Sequence, residues 1–187
     1  VIEAAATKPY GFMKFVPGPG IGGHCIPIDP LYLSWKAKSF GFTTRFINLS
    51  DEVNQGMQKY VVSQIGECLN KYKKPINGSN ILVLGVAYKK DVSDARESPA
   101  YEVIRLLLKK GANVTYNDPY ISDFTVGGKK FLSKELKKEL LKKAGCVVIL
   151  TDHSCYDYDF IAKNSKVILD TRNATKNCKN KKNVVLL

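Results

Sequence analysis

Hydrophobic and polar residues alternate in two different ways along the chain, and the change falls near residue 77. From about Ser50 to Tyr72 the apolar positions follow the i, i+4, i+7, i+8 spacing of a long amphipathic helix. Beyond residue 77, short apolar runs alternate with helical stretches at 98–111 and about 133–143. The apolar runs predict strands at 81–88, 113–119, 146–151, 166–172 and 183–187. This alternation predicts an α/β fold with a mostly parallel sheet over residues 78–187.

Residues 1–77 contain shorter predicted elements on either side of an irregular segment. Residues 1–12 have the pattern of the tail of a helix that breaks before Pro9. A second helix is predicted to begin at Leu31, with Asp29 as N-cap and Pro30 at its first position, and to end at Gly41. The apolar stripe of the 50–72 helix needs a surface to pack on, and we interpret that surface as the same helix of a second subunit.

Between the first two helices lies a loop rich in glycine and proline, with the sequence PGPGIGGHCIPIDP at 17–30. It contains the spacing G-x-G-x-x-G at Gly18, Gly20 and Gly23. A dinucleotide fingerprint must lie between a strand and a helix. Pro27 and Pro30 prevent a helix from starting at Gly23, so we reject the fingerprint. The glycines are better explained by close backbone approach to a ligand or by positive φ.

Cys25 lies in this loop, and two interpretations remain open for it. Cysteine is often a small buried apolar residue. Just before a helix N-terminus it can instead be a nucleophile, because the helix dipole favours the thiolate. His24 precedes it, but neighbouring side chains usually point apart. Asp29 either caps the next helix or holds a water, and no ligand spacing indicates a metal site.

Polar clusters follow three of the predicted strands, at 88–91, 117–119 and 170–173. In parallel sheets, ligands lie beyond the carboxyl ends of the strands. Lys89, Lys90 and Arg96 therefore form either a solvated charged loop or an anion site for phosphate or carboxylate. Arg172 follows another strand and is predicted to lie at the same edge.

Charge and cysteine usage narrow the class of partners. The net charge of +12, from 29 Lys+Arg against 17 Asp+Glu, favours anionic partners or a lysine-rich surface. The lysines are scattered along the chain, which does not favour nucleic acid. Five cysteines without a C-x-x-C pair predict reduced thiols and a cytoplasmic protein. No apolar run reaches the length of a membrane span. The chain opens without Met in a helical pattern, so we expect a fragment.

Four segments together resemble the UDP-glucose/GDP-mannose dehydrogenase family, and its N-acetylhexosamine branch in particular. They are GPGIGGHCIPIDP (18–30), LGVAYKKDVSDARESPA (84–100), YNDP (116–119) and LDTRN (169–173). The resemblance implies an active-site loop and dimerising helices at 1–77, and a homodimer that forms through the 50–72 helix. It also implies a Rossmann-like nucleotide-sugar domain at 78–187 and an NAD-binding domain that precedes this chain.

The resemblance also implies an activity and a role for each matching residue. The activity is NAD-dependent oxidation of the C6 alcohol of UDP-N-acetylglucosamine, or a related UDP-N-acetylhexosamine, to the uronic acid. Cys25 would form the thiohemiacetal and thioester, and Asp29 would assist water or proton handling. Arg96 would face the NAD. The positions that match substrate-binding residues are Phe15, Gly18, Gly20, Gly22, Gly23, Tyr88, Lys89 and Arg172.

Three alternatives stay open at this point. The substrate can instead be UDP-glucose, UDP-N-acetylmannosamine or GDP-mannose, and the role of His24 is undefined. The chain can also be a non-catalytic module for nucleotide-sugar binding or dimerisation. A nucleic-acid binder ranks third. By itself, without the hydride acceptor's domain, this chain is expected to have no turnover.

Overall fold

The fold was analysed in a computed structural model that describes residues 1–8 and 10–187. Its α-helices are α1 (Ile2–Ala5), α2 (Asp29–Lys38), α3 (Arg45–Asn70), α4 (Pro99–Lys109), α5 (Lys138–Lys143) and α6 (Tyr158–Asn164). Its strands are β1 (Asn80–Leu84), β2 (Asn113–Asn117), β3 (Asp123–Val126), β4 (Lys129–Leu132), β5 (Cys146–Ile149), β6 (Ile168–Asp170) and β7 (Val184–Leu186). A 3₁₀ turn spans Ala174–Asn177.

Five strands form one parallel sheet in the order β2-β1-β5-β6-β7. The predicted α/β class and the parallel sheet are therefore confirmed. Because the strands are parallel, their carboxyl ends meet at one edge of the sheet. The segments after β1, β2, β5 and β6 begin at this edge, which we call the carboxyl edge.

Helices cover both faces of the sheet. Val83 and Val148 point to a core shared with α3 and α4, whereas Leu82 and Val147 point to a core shared with α5 and α6. Strands buried on both faces consist of continuous apolar runs, which is why ILVL and CVVI were readable as strands.

Helix α3 begins at Arg45, five residues before the predicted start, and ends at Asn70. Its carboxyl-terminal half packs on the sheet through Val61, Ile65 and Leu69, all fully buried. Its amino-terminal half leaves apolar side chains in solvent, including Phe46 at 86% exposure. The apolar stripe is thus buried along only half of its length within this chain.

The predicted cap of α2 is wrong. Asp29 is the first residue of the helix, Ile28 is the N-cap, and no side chain makes a capping hydrogen bond there. The backbone explains the earlier start, since the amides of Ile28 and Asp29 both donate to the carbonyl of Cys25. The chain is therefore already turning before Leu31. The helix ends at Lys38, before the predicted end at Gly41, and the chain then closes with a turn in which Gly41 has φ +74° and the Phe42 amide donates to the Ala37 carbonyl.

Several other boundaries differ from the predictions. The first strand ends at Leu84 rather than at 88, because Gly85 turns with φ +78° and its backbone lies against Thr151. The hairpin of β3 and β4 and the helix α6 were not predicted. The lysine-rich helix α5 is shorter than 133–143. The first helix ends at Ala5, and the predicted break before Pro9 lies outside the described residues.

Candidate functional site

The glycine loop lies against side chains from the carboxyl edge. A Cβ atom at Gly18 would lie 2.2 Å from a guanidinium nitrogen of Arg172. A Cβ at Gly22 would lie 2.7 Å from both the Glu97 carbonyl oxygen and the Tyr88 Cβ. At Gly22 the neighbours are a backbone oxygen and a Cβ, so glycine is required for this approach, whereas at Gly18 the neighbour is the end of a flexible arginine side chain that can shift. The loop and the carboxyl edge are joined at these points.

Two polar side chains of α3 hold the same loop from the other side. The Asn54 Oδ1 accepts a hydrogen bond from the Ile21 amide at 2.8 Å. The buried Gln58 donates from Nε2 to the Pro19 carbonyl at 3.0 Å. Sequence reasoning missed both residues. The available signal was a pair of amides at i and i+4 beside the apolar stripe of the helix.

Cys25 is exposed, whereas Cys68, Cys146 and Cys178 are buried, so its interpretation as a buried apolar residue is wrong. Its Sγ lies 3.0 Å from Nδ1 of His24. The expectation that the two side chains point apart is therefore also wrong, because the bend at 23–25 turns both to the same side. An imidazole in hydrogen-bond contact can accept the thiol proton, which is the arrangement that activates a cysteine nucleophile.

Asp29 and Phe15 are exposed and lie in less constrained surroundings. The Asp29 amide donates to the Cys25 carbonyl at 2.8 Å, which fixes the backbone between the two residues. Among the described residues, no hydrogen bond to its carboxylate is seen. Phe15 is half-exposed on the loop. The structure therefore places Asp29 near Cys25 in the turn and leaves Phe15 on the surface.

Tyr88, Lys89, Lys90 and Arg172 converge on one cleft at the carboxyl edge, together with Pro19 and Gly20. Tyr88 is half-buried under Gly23, and the two lysines are exposed. The Arg172 Nε donates to Asp152 at 3.3 Å, which leaves the rest of its guanidinium free to bind an anion. The predicted meeting of Arg172 with the lysine segment is confirmed in position.

The Arg96 side chain is held by Asp94 and not by residues of the cleft. Its guanidinium makes a two-pronged contact with the Asp94 carboxylate, with distances of 3.0 and 2.7 Å to Oδ2. This contact lowers the pKa of Asp94 to about 2. The Arg96 carbonyl accepts the Gly23 amide at 3.3 Å. Arg96 is thus adjacent to the glycine loop, with its side chain largely in solvent.

The acidic residues that end β2 and β6 serve the fold. Asp170 accepts hydrogen bonds from the amides of Arg172, Ala174 and Thr175, which shapes the turn that presents Arg172. Burial opposes ionisation of Asp118, but hydrogen bonds from His153 and from backbone amides outweigh it and hold its pKa below the ordinary value. Both carboxylates therefore make hydrogen bonds that stabilise the fold.

Within residues 1–8 and 10–187, no group of His, Cys, Asp or Glu side chains is arranged to hold a metal ion. No helix in the same ranges is both long enough and apolar enough to cross a membrane.

The model of the UDP-binding domain of the UDP-glucose/GDP-mannose dehydrogenase family matches residues 82–177, and the model of its central domain matches residues 1–56. The chain belongs to this family. The resemblance drawn from the sequence is thereby confirmed.

Individual relatives are also similar. A UDP-N-acetyl-D-mannosamine dehydrogenase of Methanococcus maripaludis is 36% identical over 84% of this chain and 36% of the relative. A UDP-N-acetyl-D-glucosamine 6-dehydrogenase of Pseudomonas aeruginosa is 37% identical over 65% of this chain and 28% of the relative. The crystal structure of an NDP-N-acetyl-D-galactosaminuronic acid dehydrogenase from Methanosarcina mazei superimposes with a TM-score of 0.80 at 27% identity, covering 100% of this chain and 42% of that one.

These figures also show how much of the relatives' length the chain matches. The chain spans about a third of the length of the relatives, 36% for the Methanococcus maripaludis enzyme. The related UDP-sugar dehydrogenases are NAD-dependent. The described residues contain no strand–glycine-turn–helix unit of the dinucleotide type, because the G-x-G-x-x-G spacing lies in an irregular loop. The residues present therefore do not by themselves form an NAD site.

Proposed function

We propose that this chain is the central and carboxyl-terminal portion of an NAD-dependent nucleotide-sugar 6-dehydrogenase. The observation that carries the proposal is the contact of the Cys25 loop with Tyr88 and Arg172 through Gly18 and Gly22. This contact brings a nucleophile-bearing loop to the cationic cleft at the carboxyl edge. We further propose that residues 1–77 form the active-site loop and dimerising helices, and that 78–187 form the nucleotide-sugar domain.

The carboxyl edge supplies the binding half of the proposed site. A UDP-sugar carries a pyrophosphate, and Lys89, Lys90 and Arg172 present cationic groups around one cleft. Arg172 suits phosphate because its planar guanidinium donates several parallel hydrogen bonds. Phe15 and the glycines at 18, 20, 22 and 23 would cover the sugar and phosphates. Small residues there leave room for the ligand against the backbone.

The loop supplies the chemical half. Once the C6 alcohol has become an aldehyde, the Cys25 thiolate adds to its carbonyl carbon and a proton goes to the oxygen, which gives a thiohemiacetal. Loss of a hydride and a proton leaves the thioester. Water adds to that carbonyl and expels the thiolate, which frees the uronate. His24 lies where it can take the Cys25 proton at the start, and we assign water positioning to Asp29.

Two NAD⁺ would be needed in sequence, each supplying the hydride acceptor for one oxidation. We assign NAD binding to a preceding domain of the complete enzyme, as the lack of a dinucleotide turn in the described residues supports. Arg96 stands beside the loop with its guanidinium in solvent, and we propose that it faces the NAD. On this proposal the chain alone binds the nucleotide sugar but does not turn it over. We also keep the cytoplasmic location as a proposal.

We propose a UDP-N-acetylhexosamine as the substrate, with UDP-N-acetylglucosamine first and UDP-N-acetylmannosamine as its nearest alternative. The names of the relatives support this class, since one is named for UDP-N-acetyl-D-mannosamine and the other for UDP-N-acetyl-D-glucosamine. UDP-glucose and GDP-mannose are the further alternatives. A screen of NADH formation by the complete enzyme over these four nucleotide sugars separates them. A preference for UDP-glucose or GDP-mannose would overturn the assignment to the N-acetylhexosamine branch.

We propose that two copies associate through α3. Phe46, Leu49 and Val53 are exposed on the helix at i, i+3 and i+7, so they line one face. Gly56 continues this face, with no heavy atom within 4 Å of the place where a Cβ would stand. An exposed apolar stripe of this kind marks an interaction surface. We call these four residues the α3 seam.

Calorimetry of this chain with UDP, UDP-N-acetylglucosamine and GDP-mannose tests the binding half. We expect the two uridine nucleotides to bind and Arg172→Ala to weaken UDP by roughly tenfold or more, since a charged hydrogen bond contributes about 1.5–3 kcal/mol. Arg105→Ala is the matched control, because Arg105 pairs with Glu102 on the surface of α4, remote from the carboxyl edge. Absence of heat with every nucleotide sugar, in a folded sample, would contradict the proposal.

A further inference from the structure

We propose that His153 is a positioning residue that holds the segment 86–91, and with it Lys89 and Lys90, in the geometry that binds the anion. We call this segment the lysine turn. The inference rests on the proposed function for the identity of the anion. His153 itself is fully buried and does not reach the cleft side chains, so it acts through the backbone of the lysine turn.

Both nitrogens of His153 are engaged, and the partners define its proton. The Asp91 amide donates to Nδ1 at 3.0 Å, so Nδ1 carries no hydrogen. The proton therefore lies on Nε2, which donates to the Asp118 Oδ2 at 3.1 Å. A neutral imidazole in this tautomer accepts on one side and donates on the other. The same ring thus links the far end of the lysine turn to the end of β2.

The near end of the turn is held by the same carboxylate. The Asp118 Oδ2 also accepts the amides of Val86 and Ala87 at 2.7 and 2.9 Å. Thr151 adds a hydrogen bond to the Ala87 carbonyl at 2.6 Å. The lysine turn is consequently fixed at 86–87 by Asp118 and at 91 by His153. The three residues between, at 88–90, are the ones that line the cleft.

The conformation of Asp91 shows why the far end needs a partner. Asp91 has φ +58°, in the left-handed region that a residue with a side chain adopts only when its surroundings impose it. Its carboxylate accepts the amide and hydroxyl of Ser154, which fixes the side chain, and His153 receives the amide. Without the imidazole acceptor, the amide of Asp91 loses its partner and the turn can relax out of this conformation.

The surroundings keep the imidazole in one orientation. The rings of Tyr120 and Tyr156 lie 4.9 and 5.6 Å from it, centroid to centroid. The Tyr158 hydroxyl donates to the carbonyl of His153 at 3.0 Å. This packing costs the ring its rotational freedom before any ligand arrives, so the lysine turn is preorganised rather than ordered on binding.

A pair of amide variants separates the two contacts of His153. In His153→Asn the side-chain oxygen stands near the place of Nδ1 and can still accept from Asp91, but nothing replaces Nε2. In His153→Gln the amide nitrogen stands near the place of Nε2 and can still donate to Asp118, but the acceptor for Asp91 is lost. Ile161→Val, a mild truncation of a buried side chain in α6, controls for a general loss of stability.

Hydrogen exchange at the Asp91 amide and calorimetry with UDP are then measured on the same samples. We expect wild type and His153→Asn to protect the amide, and His153→Gln to exchange it at least tenfold faster. UDP affinity should follow the same order, with a loss of about tenfold in His153→Gln that Ile161→Val does not show at equal thermal stability. In the complete enzyme the loss should fall on KM and spare kcat.

The outcomes separate the two proposals. Equal protection of the Asp91 amide in His153→Asn and His153→Gln would overturn the inference, whether or not UDP binds. A loss of UDP affinity that merely tracks thermal stability across all three variants would overturn it as well. Failure of the wild-type chain to bind UDP, with the expected exchange pattern intact, would instead contradict the proposed function and leave the role of His153 in holding the turn supported.

Discussion

Residues 1–60 and residues 61–187 bury their apolar side chains very differently. Among the described residues, every buried hydrophobic side chain lies at position 61 or later. Most of the large exposed hydrophobic side chains lie before it, including Trp35 at 72% and Phe46 at 86%. The region with Cys25 therefore has no core of its own. It is held by its contacts with the carboxyl edge, and it needs further protein surface to cover its apolar side chains.

We infer from this comparison that the two regions have different roles, with ligand binding in residues 61–187 and chemistry in residues 1–60. The packed sheet with its satisfied carboxylates presents Lys89 and Arg172 on rigid turns, which suits the binding of a charged ligand. The first 60 residues present the proposed nucleophile on a loop held by close glycine contacts, by the Gly23–Arg96 backbone hydrogen bond, and by Asn54 and Gln58. Loss of Cys25 should remove chemistry and spare binding, whereas damage to the sheet turns should do the reverse.

The largest expected effect is on chemistry. In the complete enzyme, Cys25→Ser should lower uronate formation by roughly a thousandfold or more, because the hydroxyl is a poor nucleophile and a poor leaving group in place of the thiolate. The affinity for UDP should stay within about twofold of the wild-type value, because Cys25 is assigned to chemistry and not to binding. Steady-state NADH formation and calorimetry with UDP measure the two quantities.

Cys155→Ser is the control for Cys25→Ser. Cys155 is the other exposed cysteine, and it lies after β5 rather than on the loop. We expect wild-type rates in Cys155→Ser. Wild-type rates in Cys25→Ser would show that Cys25 has no chemical role.

The second prediction concerns the proposed interface through α3, which would cover exposed apolar side chains of residues 1–60. Replacing Phe46 and Val53 with Glu should weaken self-association by roughly a hundredfold, because each buries a charge in place of an apolar side chain. Sedimentation velocity across a concentration series measures the shift. Leu132→Glu changes an equally exposed side chain on β4 and should leave association unchanged. Unaltered association in the double variant would mean that the α3 seam is not the interface.

The third prediction concerns how the free energy of unfolding depends on pH through Asp118, the carboxylate that holds the lysine turn. The pKa of Asp118 lies below the ordinary 3.8, so its ionised form stabilises the folded protein above that value. This contribution should disappear as the pH falls from about 4 through the lowered pKa. At neutral pH, Asp118→Asn should cost roughly 2–3 kcal/mol, since charged hydrogen bonds are lost in a buried place.

Urea unfolding between pH 2.5 and 7 measures both effects. Asp118→Asn should flatten the acid dependence of the free energy of unfolding, and Asp123→Asn on the exposed hairpin should not. A wild-type free energy that does not fall below pH 4, or the same acid dependence in wild type and Asp118→Asn, would argue against Asp118 as an ionised anchor of the lysine turn.

The smallest expected effect falls on the loop contact. Gly22→Ala should destabilise the chain by about 1 kcal/mol, because its Cβ meets the Glu97 carbonyl oxygen and the Tyr88 Cβ at 2.7 Å. Gly66→Ala places a Cβ in α3 at an ordinary 3.4 Å from Ile76 and should be neutral or stabilising. Urea unfolding resolves the two. A neutral Gly22→Ala would show that the loop does not depend on this close approach.

The sequence predicted the sheet well because its buried strands are continuous apolar runs between helical patterns. It failed where local signals are short or polar. The strands of the β3–β4 hairpin have four residues each and are rich in charge, and α6 has only seven residues. The residue type of Asp29 predicts a cap, but the turn that begins at Cys25 makes Asp29 the first residue of the helix.

The sequence identified residues of the candidate site but not the contacts between them. Motifs identified Cys25, Tyr88 and Arg172, and only the fold brings the loop that carries Cys25 against the other two. The contacts of Gln58 with Pro19 and of His153 with Asp118 join residues 39 and 35 positions apart. No periodic pattern reports such pairings, because each depends on how the helix and the sheet edge come together. The proximity of His24 to Cys25 depends on a local bend that the glycines permit.

The most direct test of the central proposal is to trap the covalent intermediate. The complete enzyme is mixed with UDP-N-acetylglucosamine and NAD, quenched in acid during turnover and digested, and the peptides are weighed by mass spectrometry. We predict a UDP-uronyl thioester on the peptide that contains Cys25, absent from Cys25→Ser. An adduct on another residue, or full turnover with no adduct on Cys25 at any quench time while Cys25→Ser keeps the wild-type rate, would contradict it.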